Sequence, residues 1–403
     1  MLPNEWQRVP VGKVCDSIVP GRNKPKYFDG DIPWVTTPEI SGRYVPSALQ
    51  KNYVSETVLK ECGGKIVPKG AVVMAAVGEL GLVALATEKI VLNQQLHAFV
   101  CSNSVHNEYL AYALKAQKHY MESVASKTTI PYMNKTNCES IPVPLPPLPE
   151  QKKIAQILST WDQAITATER LLENSQQRKK GLMQELLTGK KRLPGFEGEW
   201  KKASLGAIGK ISSAGVDKKF VDGEQTVRLL NYLDVFRKEF IFNNEITHIV
   251  SAPDRKIYNC DVRQGDVFFT PSSETRDEIG ISAVAVEDML GVAYSYHVIR
   301  FRPDNSLDLN FSAYAFQTDK FWEQTYKLCD GGGQRYVLSQ DDFRSIRVTL
   351  PHLKEQYAIG LILKSASDEI AFLHDRLSCL KQEKKALMQQ LLTGKRRVIV
   401  GTA

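Results

Sequence analysis

The chain has 403 residues and a formal net charge of +7. This length predicts two or three domains with substantial cores, and the charge is compatible either with a nucleic-acid partner or with an ordinary soluble basic protein. The seven cysteines form no Cys-x-x-Cys pair, the N-terminus lacks a signal-peptide core, and the apolar run near Ala71–Val77 is too short to span a membrane. We therefore expect a cytoplasmic protein with reduced thiols, without a metal site and without membrane contact.

The first block, residues 1–149, is rich in predicted strands. Lys65–Val77 and Ile90–Val100 carry β-branched residues between turn signals, and Glu108–Met121 has the pattern of a short helix. The proline-rich run Ile141–Pro149 cannot be helical and favours a stiff, extended connection into the segment that follows. An SH3-type ligand is the alternative interpretation of this run, which we do not favour because the run leads directly into a helix.

A long helix is predicted over residues 150–189. Apolar residues repeat at alternating steps of four and three, the heptad pattern of a helix that buries one seam against a partner helix. The predicted seam residues are Ile154, Leu158, Trp161, Ile165, Leu172, Leu182 and Leu186. Thr188-Gly189 followed by basic residues is a helix stop signal, because glycine can adopt the left-handed conformation and cations favour the helix C-terminus.

Residues 190–198 form a polar linker, and residues 199–353 form a second block that echoes the first. Glu5-Trp6 matches Glu199-Trp200, and Asp29-Gly30 matches Asp222-Gly223. Between such anchors the two blocks differ strongly. The chain therefore consists of two halves that share a scaffold and present different surfaces.

A second long helix is predicted over residues 354–394, before a basic and apolar tail at 395–403. Gln151 corresponds to Gln356 and Gly189 to Gly394, a constant offset of 205 residues. The second seam is Ile359, Leu363, Ile370, Leu373, Leu377, Leu380, Leu387 and Leu391. Both seams include a lysine, Lys179 and Lys384; it could fix the register, but we expect each to extend its amine to water. The two helices most simply pack against each other.

Signatures of catalysis are absent from the sequence. It contains no GxxxxGK[ST] loop, no HExxH pair and no glycine-rich cofactor loop. Asp254 and Asp304 follow prolines and are interpreted as turn residues rather than as a nuclease cluster. His97 and His297 fall at similar places in the two blocks, and we expect a structural hydrogen bond from each. The sequence thus predicts no catalytic residue and no cofactor bound by this chain.

Polar loops at matching places in the two blocks are the candidate DNA contacts. Arg and Lys can pair with guanine, Asn and Gln with adenine, and hydroxyls with bases or phosphates. The candidates in the first block are Thr36, Thr37, Lys127, Thr128, Thr129, Tyr132, Asn134 and Lys135. Those in the second are Arg228, Asn231, Tyr232, Ser272, Ser273, Thr275, Arg276, Gln334, Arg335 and Tyr336. The triplet Gly331-Gly332-Gly333 would allow the backbone to approach a phosphate closely. Each loop alone could be an ordinary surface turn, and only the recurrence favours function.

The repeated segment resembles the specificity subunit of type I restriction–modification systems. The resemblance is carried by Leu-Pro-Pro-Leu-Pro-Glu-Gln151 with Leu-Leu-Thr-Gly189, and by Leu-Pro-His-Leu-Lys-Glu-Gln356 with Leu-Leu-Thr-Gly394. It covers the whole chain. The second copy has His352 and Lys354 where the first has Pro147 and Pro149, which makes the rigidity of its connection less certain.

The resemblance implies an α+β fold with a pseudo-two-fold internal repeat: two α/β target-recognition domains joined by two long helices in an antiparallel coiled coil. It further implies a non-catalytic subunit, in which each domain recognises one half of a bipartite double-stranded DNA target and the helices set the spacing. Two methyltransferase subunits with S-adenosylmethionine, and restriction subunits with ATP and Mg²⁺, would be its partners in the complex. The competing hypothesis is a coiled-coil scaffold that does not recognise DNA.

Overall fold

The computed structural model describes residues 2–21, 23–332 and 334–400. It divides into two compact units whose boundaries lie inside the two long helices. Unit 1 contains the chain up to Glu169 together with the part from Arg376 onward, and unit 2 is Arg170–Asp375. Each unit therefore combines one globular domain with a segment of both helices.

The first domain carries eleven strands and four α-helices within its described residues. The strands are β1 Gln7–Pro10, β2 Cys15–Ile18, β3 Ile32–Val35, β4 Tyr44–Val45, β5 Tyr53–Val54, β6 Ile66–Val67, β7 Val72–Ala75, β8 Val83–Ala86, β9 Ile90–Leu92, β10 Leu96–Cys101 and β11 Pro142–Leu145. The helices are α1 Glu56–Cys62, α2 Asn107–Lys115, α3 Lys118–Val124 and α4 Lys135–Glu139, and the first long helix is α5 Leu148–Leu186. The sheets have the orders β2-β10-β7-β8-β4, β5-β3-β9-β6 and β1-β11.

The second domain repeats this plan with additions. Its strands are β12 Lys201–Ser204, β13 Gly209–Ser212, β14 Gln225–Leu230, β15 Phe240–Ile241, β16 Ile249–Ala252, β17 Val267–Phe269, β18 Ser272–Ser273, β19 Ser282–Ala285, β20 Val292–Tyr294, β21 Ile299–Pro303, β22 Asp330–Gly332, β23 Arg335–Val337 and β24 Arg347–Leu350. Its helices are α6 Tyr232–Val235, α7 Asp254–Asn259, α8 Leu309–Ala315, α9 Asp319–Leu328 and α10 Gln340–Ser345, and the second long helix is α11 Leu353–Leu391. The order β13-β21-β17-β19-β15 reproduces the five-stranded sheet of the first domain, and β18-β23-β22 is an added sheet.

Some predicted elements are subdivided in the structure. The predicted helix Glu108–Met121 is two helices, α2 and α3, separated at Gln117, whose φ of −93° and ψ of 18° are not helical. The turn returns Met121 to the core that already holds Tyr109 and Leu110. The first long helix begins two residues before its predicted start and the second begins one residue before. They end at Leu186 and Leu391, each three residues before the predicted end.

The proline-rich run is a strand of the protein's own sheet. Pro142–Leu145 pairs antiparallel with Gln7–Pro10, with Val143 opposite Val9. Prolines are tolerated because they lie at alternate positions of a two-stranded edge. The second domain has the same pairing between β12 and β24, and α11 starts at Leu353, the equivalent of Leu148. The substitutions His352 and Lys354 therefore leave the second connection unchanged.

A buried glutamine holds each strand-to-helix connection. Gln151 accepts a hydrogen bond from the His106 N–H (2.8 Å) and donates to the carbonyls of Ser104 (3.0 Å) and Pro146 (2.8 Å). Gln356 makes the same three bonds in unit 2, to Asp308, Ser306 and Pro351, at 2.9, 3.0 and 2.9 Å. Both glutamines are 1% exposed. A buried amide that satisfies three backbone groups fixes the direction in which the helix leaves the domain.

The preceding glutamate pairs with the arginine that ends the other copy of the repeat. In unit 2 the Glu355 carboxylate accepts from Arg192 Nε (2.6 Å) and from a terminal nitrogen (2.8 Å). In unit 1 Glu150 is paired with Arg397 in the same way. The arginines expected to interact with the helix C-terminus thus bind a carboxylate in the first turn of the other helix, where negative charge is favourable.

Within each unit the two helix segments run antiparallel. Asp162 contacts Lys384 and Glu169 contacts Lys381 in unit 1, so residue numbers rise along one helix as they fall along the other. In unit 2 the Ser175 hydroxyl donates to Glu369 at 3.0 Å. Every predicted seam residue is buried or half-buried. At the helix starts the seam enters the domain cores, where Ile154 and Leu158, or Ile359 and Leu363, pack.

The expectation that the two seam lysines extend to water is wrong. Lys384 is only 12% exposed, pairs with Asp162, and lies 5.3 Å from the centre of the Tyr112 ring. Lys179 is 14% exposed, pairs with Glu239, and lies 5.2 Å from the Tyr314 ring. Each lysine thus has two partners that attract a cation, the carboxylate and the face of the tyrosine ring. We call each arrangement a lysine clamp.

The two clamps use carboxylates from different places. In unit 1 the acid is Asp162 of α5, and Tyr112 donates its hydroxyl to it. The equivalent position in α11 is Ser367, which bonds the Tyr314 hydroxyl (2.8 Å) and donates to Glu239 (2.7 Å). Glu239, just before β15, therefore supplies the charge that the helix lacks.

Among the helices of the described residues, none combines the length and the apolar composition of a membrane span.

Candidate nucleic-acid interface

The predicted loops of the first domain meet at one end of its sheets. The Thr37 hydroxyl donates to the Gln95 side chain at 3.2 Å, and the Ala76 N–H donates to the Gln95 carbonyl at 2.8 Å. The Met133 N–H in turn donates to the Ala76 carbonyl at 2.8 Å. These bonds join the ends of β3 and β7, the start of β10 and the loop 126–135 into one surface, which we call the domain 1 loop surface.

Several predicted contact residues have structural tasks on this surface. The Thr36 N–H and hydroxyl both donate to the buried Glu39 carboxylate, at 2.7 and 2.9 Å. Asn134 caps α4 by accepting from the Asn137 N–H at 2.8 Å, and Thr128 donates to the Ile130 carbonyl at 2.8 Å. The exposed residues of the loop are Lys127, Thr128, Thr129, Ile130, Tyr132, Asn134 and Lys135. Lys127, Thr129 and Tyr132 are therefore the predicted candidates best placed to meet a ligand, whereas Lys135 lies 3.5 Å from Glu139.

The second domain builds the equivalent surface from longer loops. The Leu338 N–H donates to the Pro271 carbonyl at 2.8 Å, the counterpart of the Met133–Ala76 bond. Ser272 and Ser273 form β18, which pairs with β23, so that Ser273 lies opposite Tyr336. The Ser272 hydroxyl accepts from Arg335 at 2.8 Å. We call this the domain 2 loop surface.

Most predicted candidates of the second domain converge there. Arg276 lies between two tyrosines, with its guanidinium carbon 4.7 Å from the Tyr336 ring and 5.1 Å from the Tyr326 ring. Burial raises the pKa of the Tyr232 hydroxyl, while a hydrogen bond with Ser273 and the charge of Arg335 oppose the rise. Thr275, Gln334 and Arg335 are exposed. Gly333 of the predicted glycine triplet lies outside the described residues.

Arg228 does not belong to this surface. Its guanidinium donates to the Asn243 carbonyl (2.9 Å), the Asn243 side chain (2.7 Å) and the Leu290 carbonyl (3.1 Å). These partners lie near the start of β20, whereas the loop surface lies beyond its end. Asn231 also has a structural task, since its N–H donates to Asp234 at 2.7 Å, as Thr36 does to Glu39.

The two predicted histidines are not equivalent. Val72 faces Phe99 in the first domain as Val267 faces Phe301 in the second, so the strand register matches His97 to Ile299 and Gln95 to His297. His97 is 2% exposed, its Nε2 has no partner among the described residues, and burial lowers its pKa to about 4. The structural hydrogen bond predicted from its ring is therefore not found among the described residues. Burial, then Lys218 and Arg335, lower the pKa of His297, which belongs to the domain 2 loop surface.

Four further residues complete these surfaces; three were not predicted from the sequence, and the fourth, His297, was predicted only as a structural histidine. Gln94 and Gln95 hold the first, and their counterparts Tyr296 and His297 belong to the second. The sequence did carry a signal for them: in each half, two neighbouring residues with hydrogen-bonding side chains come shortly after a strand, after β9 in the first and after β20 in the second. Among the described residues, no group of three or more His, Cys, Asp or Glu side chains is placed to hold a metal ion.

The fold and surfaces define a duplicated recognition protein: one scaffold repeated, with a different polar surface on each copy. Residues 3–174 and 197–382 both match the family model described as type I restriction modification DNA specificity domain. The chain belongs to this family of type I restriction–modification specificity subunits.

Relatives and solved structures agree with that assignment. The chain is similar to the type I restriction enzyme MjaVIII specificity subunit of Methanocaldococcus jannaschii, with 27% identity over 98% of this chain and 94% of the relative. It is also 22% identical to the EcoR124I/EcoR124II specificity subunit of Escherichia coli, over 39% of this chain and 41% of the relative. The fold matches the crystal structure of a type I S subunit from M. genitalium, with a TM-score of 0.59 and 16% identity over 97% and 98% of the two chains.

Proposed function

We propose that this chain is the non-catalytic subunit that gives a type I restriction–modification complex its DNA sequence specificity. Each loop surface recognises one half of a bipartite double-stranded target. The observation that carries the proposal is the contrast within the repeat: the Gln151 and Gln356 networks are the same bond for bond, whereas the loop surfaces differ in length and side chains. Divergence confined to donor-rich surfaces is what two different half-sites require.

The exposed side chains fit this role chemically. Lys127 and Arg335 can bind phosphate or guanine, and Thr129, Thr275 and Gln334 can donate to phosphates or base edges. The Arg276 guanidinium lies close to two tyrosine rings, which restricts its motion before any ligand arrives. A scaffold that did not recognise DNA would need none of these groups at equivalent loops.

A binding measurement separates the two functions. The full chain, assembled with its partner subunits, is titrated with a duplex carrying the methylated motif found in its host and with a scrambled duplex, at two salt concentrations. We expect selective binding that weakens steeply as salt rises, because phosphate contacts release counterions. Equal binding of both duplexes, or binding to neither, would leave the scaffold function.

We further propose that two methyltransferase subunits dock on this chain, one per unit. A groove of about 690 Å³ in unit 1 and one of about 720 Å³ in unit 2 support this. The first is lined by Lys384, Lys385, Met388, Gln389 and Thr393, and the second by Lys179, Lys180, Met183, Gln184 and Thr188. These residues correspond one to one at the offset of 205, so both grooves suit the same partner.

The partner subunits would carry the chemistry: S-adenosylmethionine in the methyltransferase subunits, and ATP with Mg²⁺ in the restriction subunits. Native mass spectrometry of the assembled complex tests the stoichiometry. Met183→Asp and Met388→Asp should each reduce two methyltransferase copies to one, because the substitution replaces the apolar side chain of the groove by a charge that docking would have to desolvate. Retention of two copies in both variants would place docking elsewhere.

A further inference from the structure

A short lysine–aromatic turn recurs in both domains, just before β3 in the first and β14 in the second, at the opposite end of each strand from the loop surface. Lys26-Tyr27-Phe28-Asp29-Gly30 in the first domain corresponds to Lys219-Phe220-Val221-Asp222-Gly223 in the second. Tyr27 is 62% exposed and Phe220 63%, while Phe28 and Val221 are 39% and 49% exposed. Both lysines are exposed as well. The two turns therefore present the same pair, a cation next to a free aromatic ring.

The first turn is fixed at its C-terminal end. Five residues before Lys26, the Gln94 side chain donates to the Gly21 carbonyl at 3.2 Å, next to the domain 1 loop surface. On the other side the Gly30 N–H donates to the Tyr53 carbonyl at 3.4 Å, and a Cβ on Gly30 would lie 2.0 Å from the Val54 backbone. The Asp29 carboxylate accepts from Ser55 at 3.1 Å, so part of its charge is already engaged.

The second turn is held by the buried Ser251. The Val221 N–H donates to its hydroxyl at 2.6 Å, and the Ser251 N–H donates to the Lys219 carbonyl at 3.2 Å. Upstream, the Tyr296 N–H donates to the Val216 carbonyl at 3.2 Å, which joins the turn to the domain 2 loop surface. The nearby Asp217 is neutralised by Lys256 at 3.1 Å.

The contrast with the neighbouring loops indicates what the turns contact. The loop surfaces differ between the domains, as recognition of different bases requires, but both turns keep a lysine, an aromatic residue next to it and the Asp-Gly pair. A ligand feature that is the same in every half-site would impose this constancy. DNA offers such a feature in its sugar–phosphate backbone and groove walls.

We propose that the two turns are a second, sequence-independent DNA contact of each domain. Lys26 and Lys219 bind backbone phosphates beside the half-site, and the Tyr27 and Phe220 rings pack against the adjoining sugars in the groove. This inference rests on the proposed DNA-recognition function and adds a contact outside the surfaces that select bases.

The test uses the full chain assembled with its partner subunits, and the motif and scrambled duplexes, over a series of salt concentrations. Lys26→Ala should weaken binding to both duplexes alike and reduce the salt slope by about 0.9, the value for one lost phosphate contact. Lys26→Arg should keep the slope. Tyr27→Ala should weaken both duplexes with the slope unchanged, whereas Tyr27→Phe should bind normally because the second domain has Phe220 there.

Lys13→Ala is the matched control. Lys13 is exposed in the same domain and precedes β2, which starts opposite Cys101, at the end of β10 away from the loop surface and in a different sheet from β3. If Lys26→Ala and Lys13→Ala both bind as the wild type does, the turns do not contact DNA, although selective wild-type binding would keep the proposed function. If Lys26→Ala weakens the motif duplex alone, the lysine contacts bases and sequence independence is wrong. A wild type that does not bind selectively refutes the proposed function itself.

Discussion

The lysine clamp of unit 2 offers a demanding test, because its carboxylate can be moved. Glu239→Gln removes the partner of Lys179, which is 14% exposed, while Glu239 is 26% exposed. Breaking a fully buried pair costs about 3–5 kcal/mol, and an exposed pair contributes about 0–1 kcal/mol. Partial burial places the expected loss at about 2 kcal/mol. For a unit of this size the unfolding midpoint should fall by about 5 °C.

The equivalence of the two units predicts a rescue. Ser367 occupies the position of Asp162, so Ser367→Asp in the Glu239→Gln background gives Lys179 a carboxylate at the position that Asp162 has in unit 1. Ser367→Asp alone should destabilise the chain, since two carboxylates would then share one lysine. Denaturant unfolding of the wild type, both single variants and the double variant gives the coupling, which we expect to be about 1–3 kcal/mol. Additive losses in the double variant would refute the clamp.

Three further predictions concern individual side chains. Arg335→Ala should weaken binding to the target by about 1–3 kcal/mol without loss of stability, whereas Arg228→Ala should reduce the stability of the fold. Duplex titration and denaturant unfolding distinguish the two variants. The reverse pattern would contradict a DNA contact by Arg335 and a structural task for Arg228. Burial lowers the pKa of His97 to about 4 in the folded chain, from an ordinary 6.5 in the unfolded chain. The unfolded chain therefore binds the extra proton, and about 3 kcal/mol of stability should be lost as the pH falls from 6.5 to about 4. His97→Ile, the residue of the second domain, should remove this part of the pH dependence, and identical curves would refute it. Gln151→Ala should cost about 3 kcal/mol in denaturant unfolding because buried backbone groups lose their partners, and an unchanged midpoint would show that the network is not needed.

The repeat and its helices could be predicted because their signals are local. The heptad steps and the Thr-Gly stop depend on neighbours three to seven residues away, and each recurs at the offset of 205. The strand formed by Pro142–Leu145 could not, because its partner lies at Gln7–Pro10 and proline normally argues against a sheet. The lysine clamps could not be predicted for the same reason, because Glu239 and Lys179 are distant in sequence and meet only in the folded domain.

The loop surfaces were located from sequence, but the task of each side chain was not. Both Arg335 and Arg228 are arginines in polar segments, and only the structure shows that they have different tasks. The Arg335 side chain is exposed and bonds Ser272 on the loop surface, whereas Arg228 donates to Asn243 away from it. Matching residues by identity paired His97 with His297, and only strand register showed that Gln95 is the counterpart. The lysine–aromatic turns carried a usable signal, since extending the Asp29-Gly30 match backwards reveals them.

Sequencing of methylated motifs tests most directly whether each domain recognises its own half of the target. The cells compared carry this gene, lack it, or carry it with the chain up to Leu145 replaced by the equivalent block of a relative. Gln151 and its partner Pro146 follow that junction, and the other two partners are backbone groups, at Ser104 and His106, that the relative's block can supply. A bipartite motif should disappear with the gene and change in one half only in the chimera. A motif that persists without the gene, or changes in both halves, would contradict recognition of one half by each domain.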